Sequence, residues 1–168
     1  MNIHSVHLRL GGIQEYETLA ALDDISGAQF PPGRVPVGGP PYDRAAFERS
    51  VAARLTWFAE VENETIGYAT SEIIARHLHL LGFGVHPGHT REGIGTVLLD
   101  RVKQDARDRD LPGVTLTTFA DVSFNGPYYA KRGFREIPPA ELSPELTQIL
   151  NAEAVAGLTH RIAMQFRF

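Results

Sequence analysis

Residues 85–100 read VHPGHTREGIGTVLLD, which places two glycines, an arginine and a threonine between an apolar stretch and a segment with helical spacing. Strand, glycine-rich turn and helix in that order make an anion site, because the first N–H groups of a helix lack partners within it and point at whatever sits on its end. Glycine lets an oxygen come close to the main chain. Gly93 and Gly95 line that approach, Arg91 supplies charge, and the Thr96 hydroxyl supplies a hydrogen bond. There is no GKS or GKT, and no third glycine completes GxGxxG, which disfavours a nucleoside triphosphatase and a Rossmann dehydrogenase. Taken alone, the pattern is equally that of a plain tight turn.

The stretch leading into the turn, HLHLLGFGV (77–85), carries Gly82 and Gly84 at alternate positions, so one face of the predicted strand has no side chains there. Glycine inside a strand weakens it and marks either a bulge or the close approach of another group. Both readings are open for this pair. Combined with the turn, a bare strand face suits a ligand with a long thin arm and a pyrophosphate, the shape of coenzyme A.

Working outward, TWFAEV (56–61), TIGYATSEII (65–74) and HLHLLGFGV alternate with period two and predict an antiparallel meander, its first pair joined by the polar turn ENE. After the turn, residues 91–110 repeat apolar positions at Ile94, Val97, Leu98, Val102 and Ala106, an amphipathic helix. Asp105 and Arg109 stand four apart and are expected on its solvated face. Beyond it come a strand VTLTTF (114–119), a short helix NGPYYAKR (125–132) and a short strand GFREI (133–137). A helix capped by Ser143 and Pro144 runs to about Ala156, and HRIAMQFRF (160–168) is a last strand. Upstream, SVHLRL (5–10) predicts a strand. Residues 11–27 and 42–55 predict helices, the second with Ala46, Val51 and Leu55 on one side and Asp43 at its start. Between them FPPGRVPVGGPP (30–41) predicts an irregular loop, either a surface connection or a wall or lid over a cleft.

At 168 residues and 43% apolar side chains the chain suits a single domain, 1–168, with a real core. The expected class is α/β in the α+β sense: a mixed, mostly antiparallel, splayed sheet of about six to seven strands flanked by helices. A net charge of −4 removes the broad attraction that nucleic acid or an anionic membrane requires. The absence of cysteine excludes a thiol nucleophile and thiolate metal sites. No run approaches the ~20 apolar residues of a membrane span, and the first residues lack a secretory pattern, so the expectation is a cytoplasmic protein. Monomer and homodimer are both open, since edge strands near the C-terminus offer a pairing edge.

VHPGHTREGIGTVLL, followed by FNGPYYAKRGF, resembles the GNAT superfamily of acyl-coenzyme A-dependent N-acetyltransferases, with similarity from about Glu60 to Ile137. The resemblance implies acetyl-coenzyme A as co-substrate. It implies that Phe83, Gly84 and Val85 bond the pantetheine arm through their backbones, and that Arg91, Glu92, Gly93, Ile94, Gly95 and Thr96 cradle the pyrophosphate, with Thr90 before them also in the cofactor-binding set. Asn125 matches the family asparagine that reaches the cofactor, and Tyr129 the tyrosine beside the thioester sulfur. Tyr128 and Arg132 of the same motif join the cofactor-binding set, and Tyr128 could exchange roles with Tyr129. Two departures stand out. Thr90 occupies the position usually held by glutamine or arginine, with Glu92 adding a carboxylate beside it, and Leu81 and Gly82 stand where many relatives carry a glutamate.

Acyl transfer to an amine needs a deprotonated nucleophile, a stabilised oxyanion and a proton for the leaving thiolate. An alkyl amine has a pKa of about 10.4, so a base or water chain must act, whereas a thiol near 8.5 leaves with modest help. The implied roles are the Val85 N–H for the oxyanion, Tyr129 as general acid, and His79 as the base candidate. His77, His86, His89, Glu72, Asp121 and a water relay are alternatives. His77 and His79 share a strand face, but no third ligand falls at a metal-site spacing, and no metal is expected. The acceptor is then a small-molecule or peptide amine. The competing readings are a non-catalytic acyl-coenzyme A sensor and a structural domain whose turn holds nothing.

Overall fold

The computed structural model describes residues 5–35 and 42–168. In chain order it contains β1 (His7–Leu10), α1 (Tyr16–Gly27), α2 (Arg44–Ala52), β2 (Thr56–Val61), β3 (Glu64–Ile74), β4 (His77–Val85) and α3 (Ile94–Asp108). These are followed by β5 (Gly113–Phe119), α4 (Gly126–Ala130), β6 (Arg135–Glu136), α5 (Pro144–Val155) and β7 (Arg161–Arg167). The strands form one open seven-stranded sheet in the order β1-β2-β3-β4-β5-β7-β6. Neighbours β4 and β5 are joined through α3, the crossover that parallel strands need, while β1–β2, β2–β3, β5–β7 and β6–β7 pair antiparallel. The sheet is therefore mixed, as expected.

Local chemistry sets the element ends. Asp43 caps α2 by accepting from the N–H groups of Ala45 and Ala46 at 2.9 and 3.3 Å, and Ser143 caps α5 by accepting from Leu146 N at 3.2 Å. The helix predicted to reach residue 55 stops at Ala52, because Arg54 turns left-handed (φ 59°) and sends Leu55 into the core at 1% exposure. Left-handed pairs also close two hairpins: Glu62–Asn63 between β2 and β3, and Ala75–Arg76 between β3 and β4. The strand expected over 133–137 is only two residues long.

Backbone contacts gather the chain into two compact units, one of described residues within 1–29, 40–72 and 80–105, the other within 30–39, 73–79 and 106–168. In the first, Phe58 and Tyr68 lie opposite each other on β2 and β3 and share a core with Tyr16, Leu19 and Leu22 of α1 and Phe47 of α2. Alternation sends Gly67 to the other face, where a Cβ would lie 3.1 Å from Leu98 and 3.4 Å from Ile94. That missing side chain lets α3 settle on β3.

On α3 the expected solvated pair is not what forms. Asp105 is buried, accepting from Trp57 Nε1 at 2.7 Å and from Arg101 Nη2 at 2.7 Å, with the Arg101 guanidinium 4.9 Å from the Trp57 ring centre. Trp57 needs a buried acceptor for its indole N–H, and that need overrides the helix's charge pattern.

In the second unit β5 and β7 pair along their whole lengths, from Gly113↔Arg167 to Phe119↔Arg161. Leu146 of α5 packs with Ile137 and Ala163 over this ladder. Of the proline-glycine loop, residues 36–41 lie outside the described residues, so its reading as a lid has no structural counterpart there. Its start is held: Phe30 packs on Phe119 and Phe124 with ring centres 5.3 and 5.0 Å away, and Arg34 makes a two-point ion pair with Asp121. Among the described residues no helix is long and apolar enough to cross a membrane.

Candidate active site

The turn between β4 and α3 holds the residues expected to bind an anion. Pro87–His89 form one tight turn, braced by the His86 ring nitrogen accepting from Gly88 N at 3.0 Å. Arg91 and Gly93 then adopt left-handed conformations (φ 64° and 83°) immediately before α3 begins at Ile94. Left-handed residues interleaved with right-handed ones turn successive N–H groups to one side, and the dipole of a 15-residue helix adds positive potential at the same place. Ile94 is buried and anchors the helix start. Glycine is required at position 93 by its backbone, which few side chains tolerate. Arg91 is exposed.

The first departure from the family pattern, Thr90 with Glu92 beside it, takes a specific form here. Thr90 turns its hydroxyl back to Pro87 O at 3.3 Å, and the Glu92 carboxylate is drawn to the His89 ring at 3.0 Å. The added negative charge is thereby directed at an imidazole on the same turn.

The expected bare face of β4 is corrected by the structure. A Cβ on Gly84 would lie 2.5 Å from Ser26 Oγ and 2.8 Å from Tyr68 Cε1, and one on Gly82 would lie 2.8 Å from the Tyr42 ring and 2.9 Å from Thr70 Oγ1. The group that approaches these glycines is the protein's own wall of side chains. Val85 O accepts from Ser26 Oγ and Gln29 Nε2 at 3.4 and 3.3 Å, and the neighbouring His86 N–H donates to Ile66 O at 2.7 Å. Phe83, Gly84 and Val85 thus run along the end of β4, with Ser26 of α1 against Gly84 and Val85.

His79 is 2% exposed, and its Nδ1 lies 2.9 Å from Thr115 Oγ1 on β5. A buried cross-strand contact of this kind is the structural role open to any strand histidine. His77 beside it is half-buried with Nδ1 3.1 Å from Ala75 O. Among the described residues no group of three or more metal-ligating side chains could hold an ion.

Asn125, Tyr128, Tyr129 and Arg132 lie together at α4 in the second unit. Asn125 precedes the helix, accepting from Phe119 N at 3.3 Å and donating to Phe124 O at 3.1 Å, so its side chain ties α4 to the end of β5. Arg132 lies across the Tyr128 ring, 3.5 Å from its centre, and donates to Tyr128 O at 3.0 Å. Tyr129 is buried edge-on to Tyr128 and Phe134 at 5.3 and 5.7 Å. Burial pushes its hydroxyl well above the usual phenol range, helped by Tyr128 and opposed by Arg161 and Arg132. It is a neutral hydrogen-bond donor at any working pH.

Three residues were missed by sequence reasoning. Asp23 on α1 is half-buried and accepts from Tyr68 Oη at 2.5 Å. Burial pushes its carboxyl above the ordinary aspartate range, against the lowering effect of that hydrogen bond, with Asp24 raising it further. Tyr42, bonded to Thr70 Oγ1, is pushed up to about 12 by burial, with the fields of Asp23, Asp43 and Glu72 adding to the rise. The only sequence signal was a pair of aspartates late in an amphipathic helix.

The sequence profile described as the acetyltransferase (GNAT) family matches residues 19–134, a span holding the cradle, β4, α3 and α4. The chain belongs to this family. Among solved structures, it is similar to N-acetylglutamate synthase from Neisseria gonorrhoeae complexed with coenzyme A and N-acetyl-glutamate (19% identity, TM-score 0.74). That match covers 96% of this chain but only 35% of the synthase. The PaiA N-acetyltransferase of Thermoplasma acidophilum in complex with coenzyme A matches over 98% of this chain and 99% of its own (16% identity, TM-score 0.71). Arabidopsis thaliana Naa50 in complex with the bisubstrate analogue CoA-Ac-MVNAL matches over 98% and 99% (16% identity, TM-score 0.69). At these identities the likeness establishes the GNAT fold.

Proposed function

We propose that this chain is an N-acetyltransferase that binds acetyl-coenzyme A through its cradle and moves the acetyl group directly to a primary amine through a tetrahedral intermediate. Family membership makes it an acetyltransferase of the GNAT type. The observation that carries the finer reading is the left-handed pair Arg91 and Gly93 at the start of α3. Left-handed pairs also close this chain's hairpins, but this one stands directly before a helix whose first N–H groups lack partners within it, and a pyrophosphate accepts hydrogen bonds from groups presented there. Arg91 and Thr96 complete the phosphate contacts in this reading, and Phe83, Gly84 and Val85 run beside the pantetheine arm. The two compact units act together as one domain.

When bound, the cofactor supplies an activated acetyl thioester. The chain's own residues then do three things. The Val85 N–H meets the developing oxyanion, a donor that needs no reorganisation during the reaction. The Tyr129 hydroxyl, kept neutral by its burial, donates its proton to the departing sulfur. The edge-on rings of Tyr128 and Phe134 hold the Tyr129 ring in place. A purely sensing role is less well supported, because a sensor has no need of a buried neutral phenol in the family's acid position.

The test is a calorimetric titration of acetyl-coenzyme A into the protein and into Gly95→Asp. A carboxylate in the cradle opposes the phosphates, so micromolar affinity in the parent should fall at least 100-fold in the variant, about 2.7 kcal/mol. Equal affinity in both would remove the cradle, and no binding to the parent would remove the proposal.

A further inference from the structure

The wall over the end of β4 contains one carboxylate that the proposed chemistry leaves unused. Asp23 and Ser26 stand three apart on α1 and are therefore neighbours on one helical face. Ser26 Oγ donates to Val85 O at 3.4 Å, and the same oxygen would lie 2.5 Å from a Cβ on Gly84. Tyr68, whose ring covers Gly84, donates its hydroxyl to Asp23 at 2.5 Å. Asp23 thus belongs to the cluster that touches the backbone of Gly84 and Val85, the segment assigned above to the acyl group. It is only half-buried and so reachable from outside.

The groups facing it are phenols and carboxylates. Asp24 adjoins it on α1, Tyr68 comes from β3, and Tyr42 from the segment before α2. Tyr42 in turn lies in the fields of Asp43 and Glu72, the latter held by Arg49 at 2.7 Å. A negatively charged acceptor is repelled here, and an ammonium group is attracted.

We propose that Asp23 is the base that receives the acceptor, and that the acceptor is a cationic alkyl amine with no carboxylate beside its reacting nitrogen. This rests on the acetyl-transfer reading above. The ammonium gives a proton to the Asp23 carboxylate, and the freed nitrogen lone pair forms the C–N bond to the thioester carbonyl carbon. Collapse of the intermediate breaks the C–S bond, the electron pair leaves with sulfur, the nitrogen gives up its second proton to water, and the thiolate takes a proton from Tyr129, which is reprotonated from solvent. The proton on Asp23 returns to water, so the sum is ammonium plus thioester giving amide, thiol and one proton. Its raised pKa brings the carboxyl nearer the amine's and makes the transfer less uphill. Tyr68 is a positioning residue, since it holds the carboxylate without touching the acceptor.

The experiment follows thiol release from acetyl-coenzyme A across a pH series with n-butylamine, 1,4-diaminobutane and glutamate as acceptors, in the parent, Asp23→Asn and Tyr68→Phe. Calorimetry of acetyl-coenzyme A binding and thermal melts run in parallel. The expected result is transfer to the two alkyl amines in preference to glutamate and a fall of about 100-fold or more in kcat/KM in Asp23→Asn, with cofactor affinity unchanged. In Tyr68→Phe the lost hydrogen bond should move the acidic limb of the profile to higher pH, a shift a merely structural role would not produce. Should Asp23→Asn fail to fold, Asp23→Glu with a displaced acidic limb carries the same test. Transfer to glutamate alone, transfer to none of the three, or an unaltered pH profile in the variants would overturn the inference and leave the cofactor reading standing. Failure of the parent to bind acetyl-coenzyme A would instead overturn the reading beneath it.

Discussion

The glycines of β4 and the glycine of the following turn are alike in sequence and opposite in use. Gly84 has an extended backbone that any residue could adopt, but the space above it is filled by Ser26 and Tyr68. Gly93 has a left-handed backbone (φ 83°) that only glycine adopts cheaply. One is glycine because something of the protein's own comes close; the other is glycine because the backbone itself turns left-handed there, and in the reading proposed above that turn aims N–H groups at the cofactor. Gly113 on β5 extends the first class to its limit, since a Cβ there would lie 1.9 Å from Phe166 O, a backbone atom that cannot rotate away.

This difference can be broken by substitution. Gly113→Ala should have the largest effect, because the β5–β7 ladder itself must shift. A loss of about 3 kcal/mol or more is expected, read as a collapse of the chemical-denaturation midpoint. Gly84→Ala meets side chains, which can yield, and should cost about 1–3 kcal/mol. If either variant melted like the parent, the clearance argument would fail at that position. Gly93→Ala should cost about 1–2 kcal/mol from its left-handed backbone alone. Acetyl-coenzyme A affinity should fall with it as the cradle distorts, whereas Gly84→Ala should change stability more than affinity. A Gly93→Ala protein with parental affinity would place Gly93 in the first class.

The smallest effect concerns the wall itself and is set by pH. The folded-state pKa of Asp23 is raised, so the folded protein binds its proton more readily than the unfolded chain does. Stability attached to this group is therefore fully present below the ordinary aspartate pKa and is lost as pH rises through the higher folded value. Asp23→Asn should then melt higher than the parent at neutral pH and equally with it in acid, while transferring acetyl groups more slowly. Identical melting at both pH values would show that the carboxylate's burial costs the fold nothing.

Much of the architecture was legible because its signals are local. Period-two alternation marked β2, β3 and β4, spacings of three and four marked α3, and Asp43 and Ser143 announced the starts of α2 and α5. The strand–turn–helix order around Gly93 was legible for the same reason: the three are contiguous, and the turn's conformation depends on a glycine within it. Asp105 was misread because its partner Trp57 lies on β2, and no spacing within α3 reveals that an indole N–H awaits it. The buried contact of His79 with Thr115 was not legible either, again because the partner sits on another strand.

The sequence by itself determined the order of strands and helices, the family, and a glycine turn between β4 and α3, since each depends on residues adjacent in the chain. Only the tertiary structure decided that Ser26, Tyr42 and Tyr68 fill the face left open by Gly82 and Gly84, and that Asp23 stands half-buried among them with a raised pKa. Clearance and desolvation are properties of the space around an atom, and that space is enclosed by residues brought together from α1, the start of α2, β3 and β4, which no local pattern records.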